Sequence, residues 1–190
     1  MNSTKERIFK AAISTFSKSG FYKSTMDEIA ESANVAKGTL YYHFKSKNEI
    51  LEFLIDEGLK VLKNEVSEKI DKLNNAVEKL RTVIFIQSDF LYKYGDFITV
   101  LLSQIWGNNK VQDKFREKLY DYLKIIEDII KEGISEKLIV ECDEKIVSSV
   151  FFGMISSILV LKLRNKENFD PGYIADNILK YTLNGIQYVK

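Results

Sequence analysis

Apolar residues recur along this chain at the spacing of α-helices. Ile8, Phe9, Ala12, Ile13 and Phe16 fall one, three and four residues apart, so a first helix carries a single apolar face. Gly20 follows, the residue type that most easily takes the left-handed conformation ending a helix. Met26, Ile29, Ala30 and Ala33 line the inward face of a short second helix. After the turn Asn34-Val35-Ala36, a third short helix begins at Lys37, with Leu40 and Phe44 inward. Three hydroxyl residues, each with a glutamate three positions on, mark helix starts: Ser3 with Glu6, Thr25 with Glu28, and Ser46 with Glu49. From Lys47 the pattern lengthens, predicting helices over 47–69, 75–94, 97–106, 110–132, 143–164 and 173–188, about nine in all. One proline and nine glycines leave such helices almost uninterrupted. The predicted fold class is all-α, without internal repeats.

A short helix, a brief turn and a second short helix make the layout of a helix-turn-helix. The chain therefore divides into a head of residues 1–47 and a helical body of residues 48–190. Net charge is only +1, but its distribution is uneven. Residues 1–47 hold eight Lys/Arg against four Asp/Glu, while the body holds twenty against twenty-three. A basic head on a mildly acidic body fits contact of the head with a polyanion.

Candidate catalytic chemistry is thin. Cys142 and His43 are the sole residues of their types, which excludes a disulfide within one chain and any metal site built on several Cys or His ligands. His43 has no nucleophile or carboxylate at a suggestive spacing, and there is no glycine-rich phosphate loop. The sequence is expected to be neither an enzyme nor a binder of metal or cofactor. Its polar start is no signal peptide, so a cytoplasmic location is expected. The uncharged run Ile146–Leu161 is sixteen residues with four serines, short of the roughly 20 that a spanning helix needs, and reads as a buried helix.

The run Val35-Ala36-Lys37-Gly38-Thr39-Leu40-Tyr41-Tyr42-His43-Phe44-Lys45-Ser46-Lys47 carries the functional signal. With Leu40 and Phe44 facing the core, Gly38 and Tyr42 take the opposite side, flanked by Thr39 and Tyr41. Two tyrosines and a threonine then stand outward beside three lysines. Their hydroxyls suit phosphate oxygens, Thr and Tyr suit thymine methyls, and Lys37 suits guanine O6/N7. Gly38 lets the backbone sit close to a base edge.

This run, with Thr25-Met26-Asp27-Glu28-Ile29-Ala30 and Gly20-Phe21-Tyr22, resembles the DNA-binding domain of the TetR family of transcriptional regulators. The resemblance is close over residues 4–53; beyond them it rests on size and helical character. It implies that Thr25 binds a phosphate at the start of the second helix and that Lys37, Gly38 and Thr39 approach base edges. Tyr41 and Tyr42 would meet bases or phosphates, and His43 and Lys47 would clamp the backbone. Ala36 stands where the family often has Ser or Thr, costing the third helix a cap worth about 1 kcal/mol.

For the body, the resemblance implies ligand binding and dimerisation, the last two helices forming a four-helix interface with a second copy. Ser149, Gly153 and Ser157 put small side chains on one face of the eighth helix, and Ile178, Tyr181 and Gly185 in the last helix are candidate partners. Aromatic and aliphatic residues on the middle helices are candidates for a ligand pocket: Phe85, Phe90, Tyr94, Leu101, Ile105, Trp106, Tyr122 and Met154. Gln87, Asp89 or Gln104 could serve as a polar handle. The expectation is a repressor that binds a palindromic operator in double-stranded DNA as a homodimer and is released by a small apolar or aromatic inducer. A rival of the same fold, a nucleoid-associated regulator without a ligand, would bind many chromosomal sites and have no sealed cavity.

Overall fold

The computed structural model describes residues 3–102, 110–165 and 170–184. These residues form nine α-helices: α1 (Ser3–Ser19), α2 (Met26–Ser32), α3 (Lys37–His43), α4 (Lys47–Ile70), α5 (Ala76–Lys93), α6 (Gly95–Leu102), α7 (Lys110–Ser135), α8 (Glu144–Asn165) and α9 (Pro171–Asn184). All-α is the class that the apolar periodicity predicts. The predicted extensions over 103–106 and 185–188 lie outside the described residues. Among the described residues, no helix is long and apolar enough to cross a membrane.

The chain forms two compact units. The first is drawn from Met1–Leu59 and Asp96–Lys118, the second from Lys60–Gly95 and Leu119–Lys190. Both α4 and α7 therefore contribute residues to each unit.

In the first unit α1 packs on α2 and α2 on α3. Ile8, Ala12, Phe16, Ile29, Ala30, Leu40 and Phe44 are buried, as their spacing predicts, together with Ile50, Leu51, Leu54 and Ile55 from α4. Each large aliphatic side chain so buried stabilises the unit by about 1.5–3 kcal/mol. Phe9 is only half-buried and meets Phe53 edge-on, ring centroids 6.0 Å apart. Gly20 has φ +79°, the left-handed conformation expected after α1. Lys114 at the start of α7 lies 2.6 Å from Asp56 and 3.4 Å from Glu52, two carboxylates one turn apart on α4.

In the second unit α5 packs against α8 and α9. Asn75 caps α5, its side-chain oxygen accepting from the amides of Val77 and Glu78 at 2.9 and 3.1 Å. Gly133 sits where a Cβ would come 2.6 Å from Ile139 and 3.1 Å from Ala76, so glycine permits the close approach of the α7 end to both.

Candidate DNA-binding site

The three predicted helix starts fare differently. Thr25 forms the full capping box: its Oγ1 accepts from the Glu28 amide at 3.2 Å, and Glu28 Oε2 accepts from the Thr25 amide at 2.8 Å. Ser46 Oγ accepts from the Glu49 amide at 3.3 Å, but the Glu49 carboxylate reaches one residue further back, to the Lys45 amide at 2.7 Å. Ser3 lies within α1, and Glu6 pairs with Lys10 one turn on, at 3.0 Å. Ala36 supplies no side-chain cap to α3, as its methyl group dictates.

On α3 the inward and outward faces separate sharply. Leu40 is 0% exposed, while Tyr42 is 78% and Tyr41 44% exposed. Thr25, Lys37, Gly38 and Thr39 are exposed as well, and His43 is half-buried, its ring 5.2 Å from that of Tyr42. A Cβ on Gly38 would meet nothing within 4 Å, so the fold itself makes no demand for glycine there. Tyr22, 80% exposed in the loop just before Thr25, adds a further outward ring that the helical pattern does not single out, because it lies between helices.

Two lysines are engaged inside the head. Lys37 Nζ lies 2.6 Å from Asp27 Oδ2, an exposed ion pair joining α3 to α2. The hydrogen bond to Asp27, then its charge, raise the Lys37 pKa above the ordinary lysine value. Lys47 Nζ donates to the carbonyls of Phe21, Tyr22 and Ser24, at 2.8, 3.1 and 2.5 Å, and lies 5.1 Å from the centre of the Phe21 ring. The resemblance implies a DNA-backbone contact for Lys47; in the structure its ammonium holds the loop that leads into Thr25. Three carbonyl oxygens converging on one point attract a cation more strongly than solvent does, and a lysine side chain is long enough to reach them.

Two family models match this chain. Residues 8–54 match the model for bacterial regulatory proteins of the tetR family, and residues 73–160 match the tetracyclin repressor-like C-terminal domain. The negative transcriptional regulator IcaR of the Staphylococcus aureus biofilm operon icaADBC is 31% identical over 133 residues, 64% of this chain and 72% of that protein. A protein of Clostridium perfringens described as a candidate fatty acid metabolism regulator is 40% identical, with TM-score 0.89, covering 96% of this chain and all of that one. The chain belongs to the TetR family. As a family member it is a transcriptional regulator with an N-terminal helix-turn-helix, and its relatives are regulators rather than enzymes. The fatty acid metabolism regulator of Bacillus subtilis is 29% identical over 184 residues, 95% of this chain and 94% of that protein. FadR of B. subtilis, solved in complex with stearoyl-CoA, superposes with TM-score 0.88 at 29% identity, covering 96% of this chain and 99% of that one.

The candidate residues of the TetR body are dispersed. Phe90 and Tyr122 are buried in the second unit, and Met154 is half-buried there. Leu101 is buried but belongs to the first unit. Phe85 and Tyr94 are exposed, the Tyr94 ring 4.7 Å from that of Phe90. Gln104, Ile105 and Trp106 lie outside the described residues, as does Gly185. On α8, Ser149, Gly153 and Ser157 are all exposed, and a Cβ on Gly153 would meet nothing within 4 Å. Tyr181 on α9 is exposed, whereas Ile178 is buried in the core of its own chain.

Proposed function

We propose that this TetR-family regulator is a repressor that binds a palindromic operator as a homodimer and is released by a long-chain acyl-CoA. The outward face of α3 carries the reading. Tyr42, Tyr41, Thr39 and Lys37 stand exposed around a fully buried Leu40, on a helix of seven residues that needs none of them for its packing. Residues 1–47 read the operator; Thr25 and His43 meet phosphates, and Lys47 acts through the loop it holds. Residues 48–190 sense the ligand and dimerise, with Ser149, Gly153, Ser157 and Tyr181 facing the second copy. Stearoyl-CoA in the B. subtilis relative supports the ligand class, and the apolar core of the second unit suits an alkyl chain. Such a regulator works in the cytoplasm, where its DNA lies.

Two recognition helices enter successive major grooves when they sit about 34 Å apart. A ligand that tilts α4 changes that spacing and pulls, through Lys47, on the loop before Thr25. Release requires the ligand to prefer the detached state, since equal affinity for both states shifts nothing. The test is a titration of the dimer, bound to a duplex selected from random sequences, with palmitoyl-CoA and with free coenzyme A. Release by the acyl thioester alone is expected. Saturation by palmitoyl-CoA with unchanged operator affinity would remove the inducer role.

A further inference from the structure

The core of the second unit contains polar groups that its own packing leaves unused. Gln87 on α5 is 0% exposed; its Oε1 accepts from the Tyr122 hydroxyl of α7 at 3.0 Å, while its Nε2 has no partner. The hydroxyls of buried Ser88, beside it on α5, and Ser156 on α8 are also without partners. Tyr122 links the three helices, its ring 6.5 Å from that of Phe152, which lies one turn before Ser156 on α8. Burial raises the Tyr122 pKa, so the phenol keeps its proton, donates it to Gln87 Oε1, and turns the amide N–H groups outward from the pair.

The serines sharpen the point. A helical serine can always satisfy its hydroxyl on a carbonyl three or four residues back. On α8, Ser148, Ser149 and Ser157 all do so, at 2.8–3.1 Å. Ser156 does not, and neither does Ser88. An orphaned buried polar group is costly, so three in one packed unit call for an acceptor from outside the chain. Among the side chains whose burial is described, no lysine or arginine is buried, so a charged carboxylate beside Gln87 would lack a buried cation there. The acceptor that fits is neutral.

We propose that Gln87, positioned by Tyr122, with Ser88 next to it on α5 and Ser156 buried on the α8 helix packed against α5, is a seat for the neutral carbonyl oxygen of an otherwise apolar ligand. Under the acyl-CoA reading, on which this inference rests, that oxygen is the thioester carbonyl, and the seat favours the thioester over the free fatty acid.

The test compares the full-length protein with three probes: palmitoyl-CoA, S-hexadecyl-CoA (a thioether without the carbonyl) and palmitate. Wild type is expected to bind the thioester about tenfold more tightly than the thioether, the worth of one buried hydrogen bond. In Gln87→Leu the two should bind alike. The carbonyl stretch of carbon-13-labelled palmitoyl-CoA should fall on binding to wild type. Equal binding of thioester and thioether by wild type, with an unshifted carbonyl, overturns the seat, leaves the polar groups to water, and lets the acyl-CoA reading stand. Palmitate binding as tightly as the thioester also overturns it. Binding of none of the three overturns both. The wild-type comparisons need no variant, so a poorly folding Gln87→Leu does not rescue the proposal.

Discussion

Lys47, the first residue of α4, places its ammonium 2.5 Å from the carbonyl oxygen of Ser24, the residue that precedes the N-cap of α2. With the carbonyls of Phe21 and Tyr22 it forms a three-point clasp between the helix that runs on into the second unit and the loop that presents Thr25. Charge-assisted hydrogen bonds of this kind are worth about 1.5–3 kcal/mol when lost. Lys47→Met should therefore lower the stability of the head by about that amount, measured by thermal denaturation, and weaken operator binding. The slope of log affinity against log salt should stay unchanged, because the Lys47 ammonium is already engaged by carbonyls of the head. A slope smaller by about one would place Lys47 on the DNA.

Asp27 holds Lys37 at 2.6 Å on the outward side of the head. An exposed pair of this type contributes about 0–1 kcal/mol, so Asp27→Asn should barely change the melting temperature. It should, however, remove a negative charge beside the proposed DNA face and free a cation. Affinity for random duplex should rise several-fold at low salt, checked by fluorescence anisotropy. Unchanged random-duplex affinity would show that this corner of α2 and α3 stays clear of the phosphates.

Lys114 gives a pH-dependent test within the first unit. Burial opposes its charge, but the hydrogen bond and charge of Asp56, with Glu52, outweigh burial and raise its pKa above the ordinary lysine value. A raised lysine pKa contributes stability that is complete below the unfolded value and is lost as pH rises through the folded one. Lys114→Met should be less stable than wild type by about 1–2 kcal/mol at neutral pH, between a surface and a buried pair. The gap should hold to pH 9 and narrow above the ordinary lysine range. A gap constant to the highest accessible pH would show that lost packing, not charge, causes it.

Much of this architecture is legible in the sequence because helices advertise themselves locally. Leu40 and Phe44 lie one turn apart, which is enough to turn Tyr42 outward, and the Thr25–Glu28 box needs only four consecutive residues. Gly20 likewise acts through its own backbone geometry, and Ala36 through the hydroxyl it lacks. What periodicity does not convey is the partner across space. Lys47 reaches carbonyls more than twenty residues back in the chain, so its engagement there depends on how α4 meets the α1–α2 loop. Ile178 and Tyr181 share one helix, yet Ile178 is buried in its own chain and Tyr181 is exposed. Phe85 and Tyr94 are pocket candidates by their helical spacing, and both are exposed. The unused amide of Gln87 is visible only once Tyr122 is seen to occupy its oxygen.

The most direct measurement is the affinity of Tyr42→Ala, beside wild type, for the duplex that wild-type protein selects from random sequence. The tyrosine is 78% exposed, so its removal should change stability by no more than about 0.5 kcal/mol. Operator affinity should nevertheless fall about 10- to 100-fold, the loss expected of a side chain that reads bases or grips a phosphate. A folded variant that binds the selected duplex as tightly as wild type would contradict the placing of the outward face of α3 on DNA.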